Sequence, residues 1–164
     1  MKIRNVKPLD AGRIAEIYNH YIENTIITFE TESITAAEMR KRIASHRDGL
    51  FLVGEVEGRI IGYAYADQFR ERAAYEFTRE LSIYLDQEWT GKGYGMILYE
   101  ALFDRLKKSK YKVLIGSIAL PNDASVKLHR KYGFKKVGNL EKVGYKFGKW
   151  IDVGYWELII KKLQ

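Results

Sequence analysis

A glycine-rich segment, Thr90–Gly95, restricts the possible folds more than any other part of the sequence, because it separates a predicted strand from a predicted helix. Its three glycines let the backbone turn tightly and approach a ligand without Cβ clashes. The amides of such a loop, at the positive end of a helix, form a cradle for an anion. The segment matches neither the P-loop nor the dinucleotide-binding fingerprint. It therefore predicts either an anion site of another type or a tight turn without a ligand.

Hydrophobic periodicity along the rest of the chain predicts a mixed α/β domain. The predicted order is β-α-α-β-β-β-α-β-α-β-β, an antiparallel meander followed by two β-α units. A capping box at Thr35 and Glu38 predicts the start of the second helix, and Gly133 predicts the end of the fourth. The helices begin near Asp10, after Thr35, near Gly93 and near Asn122, and the predicted strands span residues 3–6, 50–56, 59–67, 75–85, 112–119, 134–138 and 152–160.

Composition predicts one globular domain over residues 1–164, since 46% of the residues are hydrophobic and 30% are charged. The chain has no cysteine and only three scattered histidines. Disulfides and cysteine nucleophiles are thereby excluded, and we expect no metal site. No apolar run is long enough to span a bilayer, and the first residues lack the apolar core of a secretory signal. We therefore expect a cytoplasmic protein.

The net charge of +7 is unevenly distributed along the chain. Between Arg105 and Lys149 there are 13 basic residues, whereas Asp123 and Glu141 are the only acidic ones. This asymmetry indicates an anionic partner, such as a polyphosphate cofactor or a nucleic acid, or else a solvated basic face. The basic residues are scattered over several predicted elements, and no nucleic-acid recognition signature is present. We therefore expect no nucleic acid partner.

Glu80 is a candidate for acid–base chemistry because it lies in the middle of a predicted strand. Strand alternation places it on one face with Ser82 and Tyr84. A carboxylate at such a position is costly to bury unless it is paired or functional. The structural alternative is an ion pair with Arg79 or another cation.

A second group of polar residues follows the strand that ends near Ala119. Asn122 can cap the next helix, or it can direct its side-chain amide toward a ligand beside the strand. His129 lies on the same helix as Asn122 and Ser125, so it can face the same ligand. A histidine in that position is otherwise a structural residue.

At these residues the sequence resembles the N-acetyltransferases of the GNAT superfamily. The pyrophosphate loop of that superfamily, Q/R-x-x-G-x-G/A, is similar to Thr90–Gly95. Within the superfamily, the resemblance is to the phosphinothricin and methionine sulfoximine/sulfone acetyltransferases. It implies a single-domain fold whose mostly antiparallel sheet has splayed central strands and flanking helices. The matching segments run in family order over almost the whole chain: Tyr18–Glu23, Thr28–Glu30, Gly62–Tyr65, Arg72–Tyr75, Glu80, Ser82–Tyr84, Leu120–Ser125, Leu128–His129 and Gly144–Gly154.

The resemblance also implies roles for individual residues and acetyl-CoA as the cofactor. Glu80 matches the general base, and His129 lies where many members have a general-acid tyrosine. Thr90 stands where the family has Gln or Arg, but backbone amides do most of the binding there. The implied cofactor-binding residues are Ile83, Tyr84, Leu85, Thr90, Gly91, Lys92, Gly93, Tyr94, Gly95, Asn122, Ser125 and Lys131. The expected substrate-binding residues are Tyr75, Glu76 and Phe77, with Arg72 for a substrate carboxylate and Phe29 for its side chain.

The chemistry of acetyl transfer agrees with these residues. A primary amine is protonated at neutral pH, so a base such as Glu80 must remove a proton, directly or through water, before the amine attacks. A strand amide near residues 81–83 can stabilise the developing oxyanion. We expect acetylation of the α-amino group of a small amino-acid-like substrate, in a ternary complex, by a homodimer. A polyamine, an aminoglycoside or a protein N-terminus is the alternative acceptor, and a basic nucleic-acid-binding module is the alternative outside the family.

Overall fold

The computed structural model describes residues 1–46 and 48–160. The chain forms two compact units that interleave in sequence. The first contains Met1–His20, Ile34–Asp67 and Ser82–Ser109, and the second contains Tyr21–Ser33, Gln68–Leu81 and Lys110–Gln164. The helices are α1 (Ala11–Asn24), α2 (Ala36–Ser45), α3 (Tyr94–Lys108) and α4 (Asp123–Lys131). The strands are β1 (Lys2–Asn5), β2 (Phe51–Val56), β3 (Arg59–Gln68), β4 (Thr78–Leu85), β5 (Val113–Leu120), β6 (Lys135–Lys146) and β7 (Lys149–Ile159).

This element order is the predicted one, and the α/β class with a mostly antiparallel sheet is confirmed. The predicted capping box is also confirmed. The amide of Glu38 donates to the hydroxyl of Thr35 at 3.2 Å, and the amide of Thr35 donates to the carboxylate of Glu38 at 2.7 Å. Gly133 follows α4 with a φ of 88°, which a glycine adopts without steric cost. In the described part of the chain, no helix is both long and apolar enough to cross a membrane.

The first unit is built on the strand order β1-β2-β3-β4, to which β4 contributes its second half. β1 pairs antiparallel with β2, and β2 pairs antiparallel with β3 across a turn at Glu57 and Gly58. Its core includes stacked rings on neighbouring strands and a fully buried row on α3. Alternation on the strands and helical spacing on α3 produce these two apolar faces. The residues are Phe51, Tyr63, Tyr65 and Tyr84 on the strands and Leu98, Leu102 and Leu106 on α3.

The second unit is built on the strand order β4-β5-β7-β6, with β4 contributing its first half. β5 and β7 are antiparallel over eight residue pairs, from Val113–Ile159 to Leu120–Asp152. β4 runs parallel to β5, but their register covers only three pairs and ends at Glu80–Ile115. The predicted splay of the central strands requires a short register of this kind.

Boundaries at the fourth, sixth and seventh strands differ from the prediction. The strand predicted from Tyr75 begins at Thr78, because Ala73–Tyr75 forms a short 3-10 helix instead. The sixth strand is much longer than predicted and the seventh begins earlier, at Lys149, so that the two form a hairpin that turns at Phe147 and Gly148. Both turn residues have positive φ, 51° and 72°, as a two-residue hairpin turn of type I′ requires.

Candidate active site

The glycine-rich segment Thr90–Gly95 leads into α3, as predicted, and includes the first two residues of that helix; we call it the cradle. Gly91 and Gly93 have φ values of 72° and 84°, in the left-handed region that favours glycine. Gly93 is the N-cap residue of α3. The first amides of a helix have no partner within the helix, and they point at whatever lies before its N-terminus. The cradle therefore has the backbone geometry of an anion site.

Glycines also bring the end of β4 close to its neighbours in the first unit. A Cβ on Gly62 of β3 would lie 2.7 Å from the carbonyl oxygen of Tyr84. A Cβ on Gly95 would lie 3.3 Å and 3.8 Å from side-chain carbons of Leu85 and Ile83. Tyr84 points to the other face, where its ring meets Tyr18 edge-on at 5.0 Å. The strand residues predicted to bind the cofactor therefore lie beside the first turn of α3.

Asp86 holds the segment between β4 and the cradle in place, a role that was not predicted from the sequence. Its carboxylate accepts hydrogen bonds from Arg13 of α1, from Arg59 at 3.0 Å and from the amide of Glu88 at 3.1 Å. Burial would raise the pKa of Asp86, but the Glu88 amide and the two guanidinium groups outweigh it and lower the pKa. An aspartate just after a strand was a visible cap signal, whereas its two arginine partners are distant in sequence.

Side chains around the cradle form a small cluster in the same unit. The ammonium of Lys92 lies 5.1 Å from the ring centroid of Trp89, and Trp89 meets Tyr94 edge-on at 5.5 Å. The hydroxyl of Thr90, the residue that departs from the family pattern, donates to the carbonyl of Gln87 at 2.9 Å. Thr90 thus stabilises the turn that leads into the cradle. Lys92 is exposed and supplies a cationic side chain within the cradle itself.

Glu80 is half-buried at the last residue pair of the parallel β4–β5 register. Its strand neighbour Arg79 is occupied elsewhere, since the guanidinium stacks 4.1 Å from the ring centroid of Tyr111 and donates to the tyrosine hydroxyl. Because successive strand residues point to opposite faces, the side chains of Arg79 and Glu80 leave β4 on opposite faces. The carboxylate is placed where backbone pairing between the two strands stops.

The polar residues after β5 lie together at the start of α4. The side-chain oxygen of Asn122 accepts from the amide of Ser125 at 3.1 Å, so Asn122 caps α4 as the structural interpretation predicted. The cap uses the oxygen alone, which leaves the side-chain nitrogen as the group that Asn122 can offer to a ligand. Lys131 is exposed in the last turn of α4.

His129 is buried between α4 and β5, with 4% of its surface exposed. A Cβ on Gly116 would lie closer than 3.0 Å to the imidazole, so β5 needs a glycine there. Nδ1 lies 2.8 Å from the carbonyl oxygen of Ser125, which can only accept; Nδ1 therefore carries the proton in the neutral ring. Burial lowers the pKa of His129, against the raising effect of that hydrogen bond. At neutral pH the ring is therefore neutral, with a lone pair on Nε2.

Glu80 and His129 lie on opposite faces of the sheet. Glu80 is next to Ile115 of β5, and His129 is next to the following residue, Gly116. Glu80 pairs with Ile115, so the two side chains share a face. His129 lies where a side chain on Gly116 would point. Because successive strand residues alternate between faces, the two catalytic candidates approach β5 from opposite sides.

The candidate substrate-binding residues fall into two separate segments. Arg72, Tyr75, Glu76 and Phe77 lie in and around the short helix before β4, and all four are exposed. Tyr75 meets Phe69 edge-on at 5.6 Å, and Glu76 pairs with Lys110 at 3.5 Å. Phe29 lies instead on the irregular segment 25–35 and contacts β6 at Gly144. These contacts place the residues structurally, and their role in binding stays a prediction.

The cradle fits the pyrophosphate of coenzyme A. A Cβ added to Gly91 or Gly93 would meet no described atom within 4 Å, so the backbone of both residues is open to a ligand. The chain matches the acetyltransferase (GNAT) domain family over residues 3–154, and it belongs to that family. Fold, cradle and family together define an N-acetyltransferase that uses acetyl-CoA.

Relatives of known activity narrow this class. The chain is 37% identical to the phosphinothricin N-acetyltransferase of Streptomyces viridochromogenes, with 96% of this chain and 86% of the relative covered. It is 31% identical to the L-methionine sulfoximine/L-methionine sulfone acetyltransferase of Salmonella typhimurium, with 96% and 94% covered. The crystal structure of a phosphinothricin acetyltransferase from Sinorhizobium meliloti, in complex with acetyl-CoA, matches with a TM-score of 0.93 and 35% identity, covering 96% of this chain and 87% of that one. The predicted resemblance is confirmed.

Proposed function

We propose that this N-acetyltransferase acetylates the α-amino group of a small amino-acid-like acceptor of the phosphinothricin, methionine sulfoximine or methionine sulfone type. The observation that carries the proposal is the position of Glu80, a half-buried carboxylate where the pairing of β4 with β5 ends. The named activities of the relatives support the acceptor class. Residues 1–164 act as one domain in this proposal, and the enzyme works in the cytoplasm, where acetyl-CoA is available.

The residues of the first unit hold the cofactor in this proposal. The amides of Gly91–Gly95 and the positive end of α3 bind the pyrophosphate, because charge-assisted hydrogen bonds from backbone amides suit an anion. The backbone of Ile83–Leu85 binds the pantetheine arm beside them. Thr90, Lys92 and Tyr94 complete the cradle. Three residues of the second unit provide further contacts to the cofactor. They are Asn122, through its side-chain nitrogen, Ser125 and Lys131.

Phe29 and Arg72 hold the acceptor in this proposal. A guanidinium pairs with a carboxylate through two parallel hydrogen bonds, which suits Arg72 to the carboxylate of an amino acid. The exposed face of Phe29 packs against the acceptor side chain. Tyr75, Glu76 and Phe77 line the same acceptor site.

The reaction proceeds by direct transfer within a ternary complex. Acetyl-CoA supplies a thioester whose carbonyl carbon is open to attack by an amine. Glu80 accepts a proton from the acceptor's ammonium group, directly or through water, and thereby exposes the nitrogen lone pair. A backbone amide in the segment 81–83 stabilises the negative charge that develops on the carbonyl oxygen. The attacking nitrogen releases its second proton as the carbon–sulfur bond breaks, and His129 Nε2 or a nearby tyrosine returns a proton to the leaving sulfur, so that coenzyme A departs as the thiol.

Thiol release from acetyl-CoA tests the proposal. Phosphinothricin, methionine sulfoximine and methionine sulfone are assayed beside a polyamine, an aminoglycoside and a peptide with a free N-terminus. We expect turnover with the amino-acid analogues, at a kcat/KM at least about tenfold above the other amines, because an amine without an α-carboxylate leaves the guanidinium of Arg72 without its partner. Turnover with the other amines alone would overturn the acceptor assignment and keep the acetyltransferase.

We also propose that the enzyme is a homodimer joined through the β6–β7 hairpin. This hairpin carries several large exposed apolar side chains, and exposed apolar surface of this kind marks interaction sites. Tyr145 and Trp150 are 60% and 64% exposed and pair across the two strands, with ring centroids 5.0 Å apart. Val137, Leu140, Val143 and Phe147 are also exposed.

The dimer is tested by sedimentation equilibrium of the wild type and of Trp150→Glu. We expect a mass of twice 19.1 kDa for the wild type and a monomer for the variant, because a buried, unpaired carboxylate is costly. Leu9→Glu is the matched control, since Leu9 is 90% exposed and lies outside the hairpin. A wild-type monomer, or a Trp150→Glu dimer of unchanged affinity, would contradict this part of the proposal.

A further inference from the structure

A buried lysine ends strand β6. Lys146 is 5% exposed, and its ammonium donates to the carbonyl oxygen of Thr28 at 2.8 Å. Burial lowers the pKa of Lys146, and the nearby carboxylate of Glu30 opposes that shift. Burying an ammonium costs free energy unless its hydrogen bonds compensate, so an apolar residue would suit packing better. The hydrogen bond to Thr28 fixes the backbone of the irregular segment 25–35 at one point.

Gly144, two residues earlier on β6, fixes the next residue of that segment. Residues two apart on a strand share a face, so Gly144 and Lys146 point the same way. A Cβ on Gly144 would lie closer than 3.0 Å to three ring atoms of Phe29 (Cδ2, Cε2 and Cζ). The ring therefore rests directly on the strand backbone, while 40% of Phe29 stays exposed. Two positions of β6 thus hold two consecutive residues of the segment.

We propose that Gly144 and Lys146 form a seat that sets the position of Phe29, and that this seat determines how tightly the enzyme binds its acceptor. The proposal rests on the acceptor contact assigned to Phe29 above. One side of the ring packs on Gly144, so its exposed side is a fixed apolar wall. Such a wall suits the aliphatic part of an amino-acid side chain. Lys146 is accordingly a positioning residue, which acts through Thr28 and Phe29.

Two variants disturb the seat in different ways. Gly144→Ala adds a methyl group where the ring lies, and its backbone is not in the left-handed region, so alanine introduces no backbone strain there. Lys146→Met keeps the length of the side chain but removes the donor to Thr28. The matched controls are Gly138→Ala, on the same strand with no atom near the added Cβ, and Lys149→Met, an exposed lysine just beyond the turn.

The first measurement is hydrogen–deuterium exchange of the amides in residues 26–34. We expect at least about fivefold faster exchange in Gly144→Ala and in Lys146→Met, because local opening is easier once a fixing contact is lost. Both controls are expected to exchange as the wild type does. Unchanged exchange in both seat variants would overturn the proposal. This measurement needs no acceptor, so it decides the seat even if none of the proposed acceptors is acetylated.

The second measurement compares the two Michaelis constants, with whichever amine the wild type acetylates fastest. We expect the KM for the amine to rise roughly tenfold in both seat variants, since small displacements of a positioning group are costly. The KM for acetyl-CoA is expected to stay within about twofold of the wild type. In a Phe29→Ala background, Gly144→Ala should add no further loss, because the two changes act on one contact. Equal rises in both constants would mean general loosening of the protein and would overturn the role in acceptor binding.

Discussion

Glu80→Gln is expected to lower kcat by roughly 10²–10⁴-fold, the range that general bases contribute. Glutamine keeps the shape and hydrogen-bonding capacity of the side chain, but it cannot take a proton from an ammonium group. The KM for acetyl-CoA should stay near the wild-type value, because Glu80 is not among the residues assigned to the cofactor. Steady-state thiol release with phosphinothricin, and with the other amines of the panel, measures both constants.

The pH profile of this variant separates loss of the base from loss of structure. The α-amino group of a free amino acid has a pKa above the roughly 7.7–8.0 of a peptide N-terminus, because the adjacent carboxylate stabilises the ammonium form, so its unprotonated fraction rises about tenfold per pH unit from neutral pH upward. Without a base, the rate should follow this fraction, and the defect of Glu80→Gln should shrink as the pH rises toward 9. A defect that is constant over the pH range would mean that Glu80 has another role.

Glu157→Gln is the matched control for Glu80→Gln. Glu157 of β7 pairs with Ile115 from the side opposite Glu80, so the two carboxylates flank the same residue of β5. Both are half-buried strand glutamates of the second unit. We expect Glu157→Gln to retain at least about half of the wild-type kcat, since exposed or half-exposed substitutions away from a site change little. Equal losses in the two variants would show that sheet packing, and not proton transfer, explains the effect.

Local signals in the sequence were sufficient to predict most of the fold. The capping box at Thr35 and the glycine after α4 each depend on neighbouring residues alone, and both were predicted correctly. The cradle was predictable for the same reason, since left-handed φ values at Gly91 and Gly93 need glycine. Strand and helix order followed from hydrophobic periodicity.

The predictions of the fold that failed concern contacts between distant residues or irregular strands. β6 contains two register shifts, between Lys136 and Gly138 and between Leu140 and Gly144, and these interrupt the alternation that reveals a strand. The aromatic pair Tyr75 and Phe77 favours a strand by propensity, but the chain forms a short helix there first.

The site shows the same division between local and distant information. Asn122 and Glu80 were visible because each sits beside a strand that the sequence already indicated. The partners of Asp86 lie in α1 and β3, and the partner of Lys146 lies more than one hundred residues away. A charged residue at a strand end is the only local sign of either contact, and most such residues are merely solvated.

Gly93→Ala is expected to raise the KM for acetyl-CoA about ten- to hundredfold, because one lost hydrogen bond to a charged group is worth about 1.5–3 kcal/mol. Alanine at a φ of 84° is strained, and its Cβ would occupy the open side of the cradle that the pyrophosphate needs. The strain should also lower the free energy of unfolding by about 1–2 kcal/mol. Steady-state thiol release measures the KM, isothermal titration with coenzyme A measures the binding affinity directly, and urea denaturation measures the free energy of unfolding.

Gly58→Ala is the control that separates the effect of backbone strain from the loss of coenzyme A binding in Gly93→Ala. Gly58 lies in the turn between β2 and β3, with a φ of 80° and, like Gly93, no described atom within 4 Å of an added Cβ. Both variants should therefore lose similar stability, because the left-handed conformation disfavours any Cβ to a similar extent. Binding of coenzyme A should weaken in Gly93→Ala alone, since a methyl group in the β2–β3 turn lies outside the cradle. If Gly58→Ala weakened coenzyme A binding as much as Gly93→Ala, the loss would follow from strain in the first unit. If neither variant weakened binding, the cradle would not be the pyrophosphate site.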